Sequence, residues 1–191
     1  MRIIGGEFKG RTLKSPEGRD TRPTSDRARE AIFNIIDHAD FMPALSGLRV
    51  LDLFAGSGAL GFEALSRGAD FCLFVDTDEG ARAAIRDTIE ALGLFGRTRL
   101  HRRDATKLGL RPGGPDESFN LVFIDPPYHK GLYGPALDAL IGGNWLTQNA
   151  IIVLEIATSE PQFLHPLWHN IDTRIYGAAQ VFFLQQKILS V

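Results

Sequence analysis

The sequence predicts an α/β fold, a mostly parallel seven-stranded sheet with helices on both faces. Three observations carry that expectation. Short apolar runs of buried-strand type recur at 48–53, 71–75, 121–124 and 151–154. Helical stretches at about 59–67, at about 79–92 and after Gly131 alternate with these runs, as parallel pairing requires. The chain then closes on two strand-like runs, 171–176 and 181–186, around Gly177-Ala178-Ala179, which reads as a hairpin. A weaker run near 98–101 completes the seven.

The first 45 residues read differently and form a small extension to the α/β part, 46–191. Arg2-Ile3-Ile4-Gly5-Gly6 and Phe8-Lys9-Gly10-Arg11-Thr12-Leu13 predict two short strands around a glycine turn. Ser15-Pro16-Glu17-Gly18 has turn chemistry. Arg22-Pro23 then enforces an extended entry, after which Thr24 or Ser25 can cap a helix. In that helix Ala28, Ala31, Ile32, Ile35 and Ile36 follow the helical period and predict one core-facing stripe.

With 191 residues and 44% hydrophobic content, the chain suits a single core. A net charge of −2 advertises no polyanionic partner for the molecule as a whole, so a basic surface has to be local. The lone Cys72 excludes an internal disulfide, fits a reducing compartment, and lies in an apolar run where it reads as a small buried hydrophobe. No secretory h-region follows Met1, and no apolar stretch approaches the ~20 residues of a membrane span. We expect a cytoplasmic monomer with no membrane and no metal. His165 and His169 have the spacing of a metal pair, but Pro166 between them and the lack of a third ligand nearby argue against one.

Leu51-Asp52-Leu53-Phe54-Ala55-Gly56-Ser57-Gly58-Ala59-Leu60-Gly61 is a strand, a tight glycine turn and a helix start. The glycines alone also match the dinucleotide fingerprint, so they do not select a cofactor. Asp52 does. A carboxylate at the strand end repels a pyrophosphate but suits the ammonium and sulfonium of S-adenosylmethionine. Phe54, Ala55, Gly56, Ser57 and Gly58 are the matching loop contacts. Asp76, ending the next strand, is placed to accept from ribose hydroxyls, whereas Asp78 starts the following helix. Asp104, just past the third strand, is a candidate acceptor for the adenine amino group.

Asp125-Pro126-Pro127-Tyr128 follows the apolar strand 120–124 and carries the reacting-end chemistry. An exocyclic amine on a base is a poor nucleophile because its lone pair is delocalised into the ring. The Asp125 carboxylate and the Pro126 carbonyl together can hold both N–H groups and bias the nitrogen towards pyramidal geometry. Pro126 and Pro127 fix φ and add no competing N–H, so the acceptors stay preorganised. The Tyr128 ring offers a face for a flipped-out base. Asp125 also borders the cofactor. Positioning for in-line attack supplies most of the acceleration, and no metal is required.

With Met1-Arg2-Ile3-Ile4-Gly5-Gly6, Gly10-Arg11, the stretch 22–34 (RPTSDRAREAIFN), Leu51 to Gly58, Asp125 to Tyr128 and Gly131-Leu132-Tyr133, nearly the whole chain resembles the bacterial 16S ribosomal RNA guanine-N2 methyltransferases of the RsmD family. That resemblance implies a Rossmann-like class I methyltransferase domain that uses S-adenosylmethionine. It also implies an amino-terminal RNA-binding extension, and guanine N2 of 16S ribosomal RNA, or of the small-subunit particle, as target. The family often has a longer acid at Asp76, and commonly a basic residue where this chain has Ala178-Ala179-Gln180.

In the extension, Arg2, Lys9, Arg11, Lys14, Arg19, Arg22, Arg27 and Arg29 outnumber the acids, giving the local basic surface. Of these, Arg2, Lys9, Arg11, Arg22 and Arg27 are the candidate RNA contacts, with Arg22 and Arg27 bracketing the helix start. His129 and Lys130 flank the reactive turn and read as solvent-exposed, and Glu155, ending the fifth strand, is a candidate for the target pocket's lining. Three other functions fit parts of the pattern: adenine-N6 methylation of DNA or RNA, a nicotinamide-dependent oxidoreductase on the glycine loop, and a non-catalytic RNA-binding assembly factor.

Overall fold

Strand β1 (Arg49–Leu53) shows how the sheet separates two cores. Val50 packs on one face with Cys72 and Phe74 of β2 (Phe71–Val75), Leu121 and Phe123 of β4 (Phe119–Ile124), and Ile151 and Val153 of β5 (Leu146–Ala157). Leu51 and Leu53 point the other way, among Val75, Val122, Ile124, Ile152 and Leu154. Successive strand residues face opposite sides, so a strand covered on both faces is apolar at nearly every position. Helices α1 (Asp26–His38), α2 (Ala59–Ser66) and α3 (Glu79–Leu92) contribute to the first core, and α4 (Tyr133–Gly142) to the second. This computed structural model describes residues 1–15, 26–161 and 165–187.

The seven strands lie in the order β3-β2-β1-β4-β5-β7-β6, where β3 is Thr98–His101, β6 is Trp168–Tyr176 and β7 is Ala179–Gln186. The pairs from β3 to β5 are parallel, and β7 enters antiparallel between β5 and β6. The direction of winding reverses between β1 and β4. In open sheets of this kind ligands bind outside the carboxyl ends of the strands at that reversal. The closing hairpin turns at Gly177, whose φ of 62° favours glycine.

Three expectations shift. The two amino-terminal strands reduce to a single antiparallel bridge, Arg2 to Thr12. Several amides there turn to α2 instead: Ile4 N and Gly5 N donate to the Glu63 carboxylate at 2.8 Å each, and Glu7 N donates to the Ser66 carbonyl at 2.7 Å. In α1 the buried stripe is Ala28, Arg29, Ile32, Phe33 and Ile36, with Ala31 and Ile35 only half-buried. The Phe33 ring, 5.7 Å from that of Phe123, accounts for this rotation. The run 151–154 is the centre of a twelve-residue strand, so Glu155 lies within β5 and does not end it; pairing with β7 carries the strand on to Ala157. The expected caps Thr24 and Ser25 lie outside the described residues.

Packing ties the amino-terminal segment to the sheet. Ile3, Leu13, Ile32, Phe33, Ile36 and Leu45 belong to the same core as Val50 and Phe123. Met1 lies at the glycine turn, its Sδ 3.6 Å from Ser57 Oγ. From there the chain descends along α2, turns at 6–10, and returns so that Leu13 N donates to the Met1 carbonyl at 3.0 Å.

Candidate active site

The carboxyl ends of β1, β2, β3 and β4 open into one cavity of about 810 Å³. Its size suits a cofactor and part of a substrate. At the end of β1, Phe54 takes φ 57° and Gly56 φ 56°, which turns the backbone sharply before α2. A side chain at Phe54 in this left-handed region is strained, a feature typical of functional loops. Phe54, Ala55, Gly56 and Ser57 all line the cavity.

Gly58, expected to touch cofactor, is not among the lining residues. It is buried at the start of α2 with φ 75°, and an added Cβ would come within 2.7 Å of the Phe62 ring. It packs closely against that ring. Gly61 shows the same logic more strongly: a Cβ there would meet Phe74 at 2.4 Å and Cys72 Sγ at 2.7 Å. The third glycine of the pattern therefore seats α2 against β2.

Asp52 is 2% exposed and accepts from Gly61 N at 3.0 Å. Burial pushes its pKa up to about 8; the Gly61 amide opposes the shift and the Asp76 charge adds to it. Asp76, also buried, accepts from Gly56 N and Asp78 N, both at 2.8 Å, so it locks the glycine turn to β2 as well as lining the cavity. Asp78 caps α3 by accepting from Ala81 N at 2.8 Å. Asp104 is exposed on the cavity rim and accepts from the Thr106 hydroxyl and amide at 2.7 and 2.9 Å. Those bonds hold its carboxyl below the usual range.

Beyond β4 the wall continues through Asp125, Pro126, Pro127 and Tyr128, with Glu155 of β5 behind them. Pro126 is buried and Pro127 exposed. The Tyr128 hydroxyl donates to Glu155 Oε1 at 2.8 Å, and Glu155 is 5% exposed. Burial, then the Glu155 and Asp125 carboxylates, raise the Tyr128 pKa, so the phenol stays a protonated donor. The next residue, His129, has φ 59°, a strained left-handed conformation at the exit of the turn. The half-buried ring of Tyr128 and the acceptors before it thus form one preset edge of the cavity.

Sequence reasoning missed part of this wall. Met1, Ser15, Arg29, Thr77, Arg103 and Leu132 also line the cavity. Arg29 is fully buried, and loss of solvation lowers its pKa. The signal was there: Arg29 occupies a position on the buried stripe of α1, where an arginine is out of place.

The expected RNA contacts divide by position. Arg2 and Arg27 are exposed near the start of α1, with Arg2 3.7 Å from Asp26. Lys9 sits in the turn at the far end of α2, roughly 12 Å of helix from the cavity. Arg11 donates to the Ala91 carbonyl at 3.2 Å, in the last turn of α3, roughly 20 Å of helix from Asp78. Arg22 lies outside the described residues. His165 pairs with Asp138 at 3.3 Å, and among the described residues no group of three His, Cys, Asp or Glu is placed to hold a metal. Nor is any described helix long and apolar enough to cross a membrane.

A strand-reversal crevice, a glycine turn backed by two buried acids, and a proline-fixed acidic turn define a Rossmann-like class I methyltransferase fold and site. A family model described as conserved hypothetical protein 95 matches residues 1–185. The chain is 38% identical over 157 residues to the Escherichia coli K12 protein named ribosomal RNA small subunit methyltransferase D, covering 81% of this chain and 74% of that one. It is 33% identical over 177 residues to the Haemophilus influenzae protein of the same name, covering 93% and 89%. The solved structure of Escherichia coli yhhF superposes with a TM-score of 0.81 at 31% identity, covering 98% of each chain. The chain belongs to the RsmD family of methyltransferases.

Proposed function

We propose that the protein transfers a methyl group from S-adenosylmethionine to the exocyclic N2 of a guanine in 16S ribosomal RNA. The RNA assignment draws on the names of its relatives, which act on small-subunit ribosomal RNA. The cofactor assignment draws on the wall of the cavity. Buried Asp52 suits a cationic ligand, Asp76 and Asp104 present acceptors at the ends of β2 and β3, and the glycine turn leaves room for backbone approach. The cofactor supplies an electrophilic methyl group on a sulfonium.

The observation that carries the target reading is the Tyr128–Glu155 pair beside Asp125. The Asp125 carboxylate and Pro126 carbonyl hold the two hydrogens of the amine, and Asp125 receives the proton the nitrogen sheds. Tyr128 stacks the base, worth roughly 1–3 kcal/mol. Glu155 adds a second carboxylate at this end. Guanine presents an N1–H donor beside its N2 amine, which a carboxylate accepts. Adenine presents an N1 lone pair beside N6, which a carboxylate repels. Two acids at one edge therefore favour guanine over the adenine-N6 reading.

The test is to incubate the protein with small-subunit RNA and cofactor labelled in the methyl group, then digest to nucleosides. Label in N2-methylguanosine is expected. Label in N6-methyladenosine overturns the base assignment, and no label in any nucleoside overturns the activity.

A further inference from the structure

The cavity wall carries five acids, Asp52, Asp76, Asp104, Asp125 and Glu155, against two arginines among the described residues, Arg29 and Arg103. Arg103 spends Nη1 on the Leu108 carbonyl at 2.7 Å. Arg29 differs in kind. It is 0% exposed, its Nη2 donates to the Arg2 carbonyl at 2.5 Å and to Asp26 Oδ1 at 2.9 Å, and its buried Nε and Nη1 have no hydrogen-bond partner among the described residues. Leaving two buried guanidinium donors unsatisfied is expensive for a fold, and such orphans call for an acceptor from elsewhere.

The position of Arg29 narrows the choice of acceptor. Its bond to Arg2 joins it to the segment whose Met1 touches Ser57 of the glycine turn. One helical turn further on, Phe33 packs on Phe123 near the end of β4. Arg29 therefore stands on the β1–β4 side of the cavity. The ribose and adenine acceptors Asp76 and Asp104 stand on the β2–β3 side. A ligand spanning the strand ends with its nucleoside over β2 and β3 brings its amino-acid end to β1 and β4. That end carries one positive and one negative group, and the acids can serve only the positive one.

We propose that Arg29 is the anchor for the α-carboxylate of the cofactor, through Nε and Nη1, while Asp52 serves the cationic groups beside it. This rests on the methyltransferase reading and assigns the ligand's anionic end. A carboxylate meets the planar guanidinium with two parallel bonds, whereas a phosphate of the RNA chain would have to bring a bulky polymer to a fully buried group.

Calorimetry on the full chain tests this with two ligands, S-adenosylmethionine and its decarboxylated analogue, which keeps the sulfonium and the amine. Wild type is expected to prefer the intact cofactor by roughly 10- to 100-fold, as for a charge-assisted pair. In Arg29→Met that preference should collapse to near 1, with the analogue's affinity unchanged. Arg29→Lys keeps the charge without the fork and should retain an intermediate preference, which keeps the proposal testable if the methionine variant does not fold. Equal loss for both ligands would show a structural role and overturn the proposal. So would an undiminished preference accompanied by weakened RNA binding, which would make Arg29 a phosphate contact. If wild type binds neither ligand, the methyltransferase reading itself fails.

Discussion

The two ends of the cavity are built by different means. At the cofactor end, the backbone does the positioning. Gly56 N and Asp78 N bind Asp76, Gly61 N binds Asp52, and glycine at 61 lets α2 lie against β2 with no room for a methyl group. At the target end, positioning is by side chains. Tyr128 is held by its hydroxyl bond to Glu155, and Pro127 and His129 beside it are exposed. The difference teaches where damage should appear. Injury to the backbone-built corner should disturb fold and cofactor together, while injury to the side-chain edge should disturb turnover and leave the fold intact.

Gly61→Ala should give the largest effect on the molecule as a whole. Its Cβ meets Phe74 and Cys72 Sγ well inside contact distance, so overpacking should cost about 1–3 kcal/mol and lower Tm by several degrees. Cofactor affinity, measured by calorimetry, should fall with it. An unchanged melting curve would break the contrast between the two ends.

Tyr128 tests the other side. Tyr128→Ala, which loses the stacking face, should lower kcat/KM for RNA by roughly 10- to 100-fold with Tm nearly unchanged. Tyr128→Phe keeps the ring and loses only the bond to Glu155, and should cost about tenfold or less. If the two variants are equally impaired, the hydroxyl bond and not the ring face carries the role.

The Asp52 carboxyl sharpens the comparison through pH. Its pKa is raised in the fold, from 3.8 to about 8, so burial favours its protonated form. The ligand-free protein therefore has this contribution in full below about pH 4 and loses it as pH rises through 8. A cationic ligand needs the ionised form, so the dependence of binding is opposite in sign. Cofactor affinity should rise between pH 6 and 8 and level off above. Asp52→Asn should flatten that rise, and an unflattened profile would assign the titration to another group.

The smallest effects belong to the basic surface. Arg27→Ala, in the first turn of α1, should reduce the salt dependence of RNA binding by about one unit of slope. Lys9→Ala, at the far end of α2, should change it less. Equal effects would mean that the RNA also covers the turn at 6–10.

What the sequence could reveal followed the same division. Strand and helix positions were legible because every central strand is apolar on both faces and α3 carries its own cap at Asp78. The places of Asp52, Asp76 and Asp125 in the cavity wall were legible because Asp76 and Asp125 directly follow strands and Asp52 is the last residue but one of β1. The packing of Gly58 on Phe62 was not legible, because spacing cannot separate a glycine that approaches a ligand from one that approaches a ring. The Tyr128–Glu155 bond spans 27 residues and depends on β4 and β5 lying side by side, which no local pattern encodes. Arg29 was overlooked because its burial is produced by packing against the amino-terminal segment, although its place on the apolar stripe of α1 marked it out.

The division of labour between the two ends stands or falls on Asp125. In Asp125→Ala, cofactor affinity by calorimetry and methyl transfer to small-subunit RNA should be measured on the same preparation. The account predicts cofactor binding that remains measurable and transfer reduced by at least roughly 1,000-fold, as when a positioned acceptor is removed from a preorganised site. Retained transfer would contradict it.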